Sequence, residues 1–456
     1  MNKMFLRKMA VSLLAVLLPA VAFGQANSDS TVYLNLDKAL EIALASSPVV
    51  KVADKEITKQ EYSKKGVLAN LFPTVDFSAN YNRTIKKQVM YMDAGMSGGM
   101  GGNTEAGFEV GRSNTWSAGF SASMPIVSAT LWQQLSVSAD AVELAVEQSR
   151  SSKLSMVSQV KQAYYGVLLA NDSYKVFKET YDNAMENYID VKQKYDQGLV
   201  SEYDLIRANV SVKNAEPNMY DAENSIVLAK WRLKALMGVD LDMQIECEGN
   251  LMDYVDRLYA DYMSVDTTMI AGNSSLRQLD IQHSQLVKSK KIAQAAYYPS
   301  LNLSFSHQWM AMSDNFKFGD YRWNPYTTLG VSLNIPIFSG GSRYSNVKQS
   351  KIQLEQLELN RIDTERNLMV AVRQYVDQMK TSIKQYQASS EGVSEAQKGY
   401  DIALKRYDTG AGTLLEINDS QLALTVSQNN RNQAIYSFLV AKASLDETLG
   451  TDYVAE

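Results

Sequence analysis

The chain has 456 residues, of which 50 are acidic and 45 basic, a formal charge of −5, and one cysteine, Cys247. Mild acidity argues against a nucleic-acid partner, and a single cysteine excludes an intramolecular disulfide framework. Past the amino terminus no stretch reaches the ~18 apolar residues of a spanning helix, so entry into a membrane, if it occurs, must be by strands.

Lys3, Arg7 and Lys8 precede an apolar run from Met9 to Leu18, and Ala22-Phe23-Gly24 offers small residues before Gln25. That is the pattern of a cleaved secretory signal over residues 1–24. Its removal deletes three cations and moves the formal charge from −5 to about −8. Cys247 lies far from the cleavage site, so the exported chain is not expected to carry a lipid. The thiol is either paired between chains or a small half-buried side chain.

Leu36 to Asn70 is helical by spacing, interrupted at Pro48. The period then changes. From Pro73, the residues Val75, Phe77, Ala79 and Tyr81 alternate with Asp76, Ser78 and Asn80, which is one apolar and one polar face of a strand. Met90 to Gly111 is dense in glycine and reads as a loop; Met90, Met92, Met96 and Met100 within it are too irregularly spaced for a soft-metal site. Trp116, Ala118, Phe120, Ala122 and Met124 then alternate with small polar residues up to Pro125. Such alternation fits an outer-membrane barrel and equally fits a one-sided soluble sheet.

Ser128 to Gln197 contains no proline, and 70 residues make a helix about 105 Å long. From Val160 its seam runs Tyr164, Val167, Asn171, Tyr174, Lys178, Tyr181, Met185, Tyr188, Lys192, Tyr195, in steps of four and three. A repeat of 3.5 residues predicts left-handed supercoiling, and a tyrosine-rich seam suits a wide helical tube better than a tight two-stranded coil. A plain coiled-coil rod would explain the seam but not the strands. The helix ends at Tyr195-Asp196-Gln197-Gly198-Leu199-Val200, a glycine turn at the tip of a hairpin, and a return helix runs from Ser201 to Gly238. Pro217 inside it predicts a kink or break near Glu216.

Val239 to Asn273 is acidic and irregular, a small inserted segment. The plan then restarts with a helix from Leu276 to Tyr297, a strand opened by Pro299 with Leu301, Leu303 and Phe305, an aromatic loop from Trp309 to Pro325, and a strand from Leu329 to Ile335. A second long helix ends at Tyr407-Asp408-Thr409-Gly410-Ala411-Gly412, 212 positions after the first tip, and returns from Leu414 to Gly450. From tip glycine to closing glycine both halves count 40 positions, so the chain is read as an internal duplication. Its parts are residues 25–238 (strand pair 73–125, tip at 198), an insert at 239–273, residues 274–450 (strand pair 299–336, tip at 410) and a tail at 451–456.

The class is mixed α and β. Four strands per chain are too few to close a barrel, for which about eight is the minimum, so several chains must share one; three chains would give twelve strands.

The duplicated Tyr-x-x-Gly tips, the acidic residue after each, the long return helices and the proline-flanked strand pairs resemble the TolC-like outer membrane efflux proteins over nearly the whole mature chain. What the resemblance implies is a trimeric channel-tunnel, a shared 12-stranded barrel in the outer membrane continued by an α-helical barrel through the periplasm, with an equatorial segment to which the insert and the tail correspond. It implies contact of Gly198, Leu199, Val200, Gly410 and Ala411 with a periplasmic adaptor tied to an inner-membrane pump. Glu416 and Asp419 match acidic rings at the periplasmic constriction, and Asp204 and Tyr407 match a network that holds the tunnel closed. The arginine that such members carry just after the tip glycine is replaced by Gly412. Arg207 or Arg406 then substitutes, or the closed state rests on fewer links. The second tip, with two glycines, is expected to be the more pliable.

No nucleophile motif, phosphate loop or metal-spaced cluster is present, and His283 and His307 stand singly in helix and strand. The chain is therefore read as a duct rather than an enzyme, without cofactor, for drugs, toxic compounds or secreted polypeptides. The alternative is a periplasmic coiled-coil adaptor or scaffold.

Overall fold

A computed structural model describes residues 31–90, 108–263 and 269–451. The expected signal segment, the middle of the glycine-rich loop with Met92, Met96 and Met100, and all but the first residue of the tail lie outside them.

The elements follow the periodicities. After a short strand β1 (Val32–Leu34) come helices α1 (Leu36–Ser46) and α2 (Pro48–Ala69), divided where Pro48 takes the first helical position of α2. Strand β2 (Thr74–Arg83) leads to a short pair, β3 (Gln88–Met90) and β4 (Phe108–Val110), and then to β5 (Asn114–Val127). The hairpin of α3 (Ala129–Asp196) and α4 (Glu202–Met237) follows. The 68 residues of α3 span about 102 Å.

The insert folds as β6 (Ile245–Cys247) and α5 (Val255–Met263) with 3₁₀ turns at Leu251–Tyr254 and Met269–Gly272. Next come α6 (Ser274–Ala295), β7 (Ser300–Ser313), β8 (Asn324–Asn334), and the second hairpin of α7 (Ser342–Asp408) and α8 (Leu414–Leu449).

Two expectations need correction. Helix α4 runs through Pro217 without the break expected near Glu216. Lys213 and Pro217 both face solvent, so the carbonyl deprived of its partner is open to water, and the Asn218 side-chain Nδ2 donates to the Asn214 carbonyl at 3.3 Å. The loop expected to start at Trp309 starts later, because β7 continues to Ser313 and β8 begins at Asn324.

The four long strands form one antiparallel sheet in the order β2-β5-β7-β8. Its centre is the pairing of β5 with β7, which are separated in sequence by both helices of the first hairpin and the insert. One face carries Phe77, Phe120, Phe305, Leu329, Val331 and Leu333, and all of β2 is solvent-exposed in the single chain. His307 lies on this apolar face, where its Nδ1 hydrogen-bonds the Thr327 hydroxyl at 2.7 Å. The other face is lined by small polar residues joined across strands, as in Ser306 to Thr328 at 2.7 Å.

The main core sits halfway along α3, where Val160, Tyr164 and Leu168 meet Leu40, Leu233, Met379, Phe438 and Leu445. The buried Tyr164 hydroxyl donates to the carbonyl of Glu248 at 2.7 Å and lies 3.2 Å from that of Leu34, which fixes the parallel pair β1–β6 against the helices. Arg150 holds the end of α8, donating to the Gly450 carbonyl at 2.7 Å and the Gly272 carbonyl at 3.2 Å.

Candidate functional site

Both hairpins end at the same height. A second apolar cluster joins them there, with Val191 of α3, Ala208 of α4, Tyr400 and Ala403 of α7, and Leu414, Ile417 and Leu424 of α8, packed by Val200, Leu205 and Tyr407.

The first turn is closed by Gly198 at φ 73°, with its amide on the Tyr195 carbonyl at 2.8 Å and the Leu199 amide on Lys194 at 2.8 Å. Leu199 points outward, 69% exposed, while Val200 is drawn into the cluster. Ser201 and Asp204 form a reciprocal capping box at the start of α4; the Ser201 hydroxyl donates to the Asp204 carboxylate at 2.7 Å, and the Asp204 amide donates back at 3.2 Å.

The second turn is closed by Gly410 at φ 74°, but its wiring differs. The Arg406 carbonyl accepts from the amides of Ala411 at 2.8 Å and Gly412 at 2.9 Å and from the Thr409 hydroxyl at 3.1 Å. The Arg406 guanidinium donates to the Ala411 carbonyl at 3.1 Å and lies 3.6 Å from Glu416. A Cβ on Gly412 would stand 2.9 Å from the Arg406 Cβ and 3.0 Å from the Tyr407 nitrogen. Gly412 is thus a close-approach glycine in a densely bonded turn, which weighs against reading it as a source of pliability.

Tyr407 packs on the tip cluster and Asp204 lies near enough to act on its phenol electrostatically, but the two are not bonded. The Tyr407 hydroxyl is buried without a hydrogen-bond partner among the described residues. Burial, more than offsetting the nearby Lys194 and helped by Asp204, pushes its pKa above the ordinary tyrosine value, so it remains a neutral phenol. Of the two candidate arginines, Arg207 turns to the Tyr203 hydroxyl at 3.3 Å and Arg406 to its own turn.

The cation over Tyr407 is Lys194, with its ammonium 4.8 Å from the ring centre, 2.7 Å from Asp190 and 3.4 Å from Asp408. Burial works against its charge, and the two carboxylates outweigh that and raise its pKa. Lys194 therefore ties α3 of one hairpin to α7 of the other. Sequence reasoning passed over it, although it precedes Tyr195 as Arg406 precedes Tyr407, and a cation in the last turn of a helix is itself a signal. Glu416 is half-buried and paired with Arg406, while Asp419 is exposed and makes no ion pair among the described residues.

The comparison with known proteins agrees with this geometry. The family described as outer membrane efflux protein matches residues 39–239 and 267–451. The outer membrane protein TolC of Vibrio cholerae is 21% identical over 364 residues, covering 76% of this chain and 81% of that protein. The pyoverdine export outer membrane protein OpmQ of Pseudomonas aeruginosa is 23% identical over 423 residues, covering 91% and 85%. Among solved structures, the Campylobacter jejuni CmeC outer membrane channel superposes with a TM-score of 0.70 at 20% identity over 91% of this chain and 85% of that one, a likeness of fold. The family match spans both hairpins and all four long strands, and the chain belongs to the outer membrane efflux protein family, a family of outer membrane channels rather than enzymes.

Proposed function

We propose that three copies of this chain form a passive duct across the outer membrane and periplasm, opened at its hairpin tips by a periplasmic adaptor and an inner-membrane pump. The observation that carries this reading is the four-stranded sheet with an apolar face and two unpaired edges, β2 and β8. Open edges and lipid are incompatible. Because the four strands alternate in direction, β8 of one copy meets β2 of the next antiparallel, so that three sheets close into twelve strands without a mismatch. A soluble periplasmic scaffold leaves that face and both edges uncovered.

In this reading residues 1–24 are removed on export, and residues 25–238 and 274–450 are the two copies of one ancestral unit. The insert 239–273, with the tail, girdles the middle. Gly198, Leu199, Val200, Gly410 and Ala411 meet the adaptor. Glu416 and Asp419, repeated by threefold symmetry, form acidic rings that favour cations at the narrow end. Asp204 and Tyr407 belong to the closing network, and the unpartnered Tyr407 hydroxyl supports this, since a buried phenol lacking an acceptor is costly until a neighbouring subunit supplies one. OpmQ is named for pyoverdine export; the cargo of this chain is drugs, toxic compounds or secreted polypeptides delivered by the pump.

A heat-resistant trimer in detergent extracts of outer membrane is the expected result, and a soluble monomer overturns the reading. In planar bilayers, Asp204→Asn with Tyr407→Phe should raise single-channel conductance; an unchanged value removes both from the gate. Glu416→Gln with Asp419→Asn should lower cation selectivity.

A further inference from the structure

The end of the sheet remote from the helices carries a cluster with no part in the tip or its gating. On β2 the apolar row Val75, Phe77, Ala79, Tyr81 continues in register to Arg83, and β2 and β5 hold no other charge than Asp76, on the opposite face. Tyr81 stacks on Trp116 at 4.2 Å, Trp116 meets Phe318 at 4.9 Å, and Arg83 lies 5.8 Å over the ring of Phe316. Aromatic rings closing an apolar barrel face mark the boundary between acyl chain and headgroup.

Directly beyond this belt Asp314 gathers two further cations, Arg112 at 2.6 Å and Lys87 at 3.0 Å, and accepts from the Ser113 amide at 2.9 Å. Among the described residues, two cations paired with one carboxylate leave a local charge of +1, held in place before any ligand arrives, and Arg83, seated over the ring of Phe316 two residues from Asp314, adds a third cation. A phosphate monoester carries about −1.5 to −2, and arginine forks suit its geometry.

We propose that Arg83, Lys87 and Arg112 form a clasp for the phosphate headgroup of an outer-leaflet lipid whose acyl chains lie against Tyr81, Trp116 and Phe318. A free anion would have no use for the aromatic belt, and an uncharged lipid none for the cations. The assignment rests on the sheet being part of a membrane barrel.

The test uses the full chain, purified in detergent as the trimer and reconstituted in phosphatidylcholine vesicles containing either lipid A with its phosphates or the same lipid A dephosphorylated, with bound glycolipid counted by native mass spectrometry. The phosphorylated form should be retained preferentially, by about fivefold per cation contributed. Arg83→Gln, which disturbs no ion pair among the described residues, should reduce the preference about fivefold. The triple variant Arg83→Gln/Lys87→Gln/Arg112→Gln should abolish it, Asp314→Asn should increase it, and Lys64→Gln/Lys65→Gln on α2, which precedes the opposite end of β2, should leave it unchanged. Equal retention of both glycolipids, or a preference that survives Arg83→Gln and the triple variant, overturns the clasp while the barrel stands. Failure of the native chain to enter the vesicles removes the barrel and the clasp with it.

Discussion

The two hairpin tips are alike in backbone and unlike in wiring. Gly198 and Gly410 adopt φ of 73° and 74°, and Gly238 and Gly450, which close the return helices, 69° and 71°. Yet the cation before the tip tyrosine serves opposite ends. Lys194 reaches Asp408 of the other hairpin, whereas Arg406 folds back on Ala411 and Glu416 of its own. The first tip is therefore a simple turn with an outward tie, the second a self-braced turn that receives the tie. Glycine count is a poor guide to which moves, because Gly410 supplies a left-handed angle and Gly412 supplies room.

Gly412→Val should break the comparison most strongly. Its side chain meets the Arg406 Cβ and the Tyr407 backbone rather than a flexible end, and overpacking of this kind costs about 2 kcal/mol. Amide hydrogen exchange on the detergent-solubilised protein should show Ala411 and Gly412 exchanging about 30-fold faster, with Leu199 unaffected. Exchange unchanged at Ala411 would mean that the second tip is already loose.

Next in size are Gly198→Ala and Gly410→Ala. Nothing lies within 4 Å of either added methyl, so only the left-handed angle matters, at about 1 kcal/mol each. The two should speed exchange of their own turns equally, by about fivefold. A large difference would show that one turn's strain is relieved elsewhere.

Much of this was legible because local rules govern it. Ser201 and Thr413 sit where a side-chain oxygen must cap a helix, and both do so. The alternation of Val75 to Tyr81 and of Trp116 to Met124 marked two strands of the sheet by face. What escaped is non-local or carries no period. The pairing of β5 with β7 has no turn to announce it, and β1 and β6, three residues each, are too short to show alternation. Trp309 to Met312 is apolar at nearly every position, which hid the last third of β7. At the tip, Gly412, Asp204 and Tyr407 were found by resemblance, but the direction in which Lys194 and Arg406 turn depends on which hairpin packs beside which.

Ser201→Ala sharpens the contrast at smaller scale. It removes one half of the capping box and costs about 1 kcal/mol at the first turn of α4. The Asp204 carboxylate keeps the Ser201 backbone amide at 3.3 Å and loses the hydroxyl donor. Thr413→Ala should cost less, since Glu416 is already committed to Arg406 and no reciprocal bond is lost.

The smallest effect is the most diagnostic. Lys194→Met removes two ion pairs, one with Asp190 on its own helix and one with Asp408, 68% exposed, on the other hairpin, and an exposed pair of this kind contributes about 0.5 kcal/mol to stability. It is, however, a tie between hairpins, and its loss also uncovers the face of Tyr407. Arg406→Met removes a pair of similar exposure within one hairpin. If the hairpins separate on opening, Lys194→Met should raise the open fraction in single-channel records by about twofold, while Arg406→Met changes it little. Equal responses would mean that the hairpins move together, and that Lys194 bridges two parts of one rigid unit.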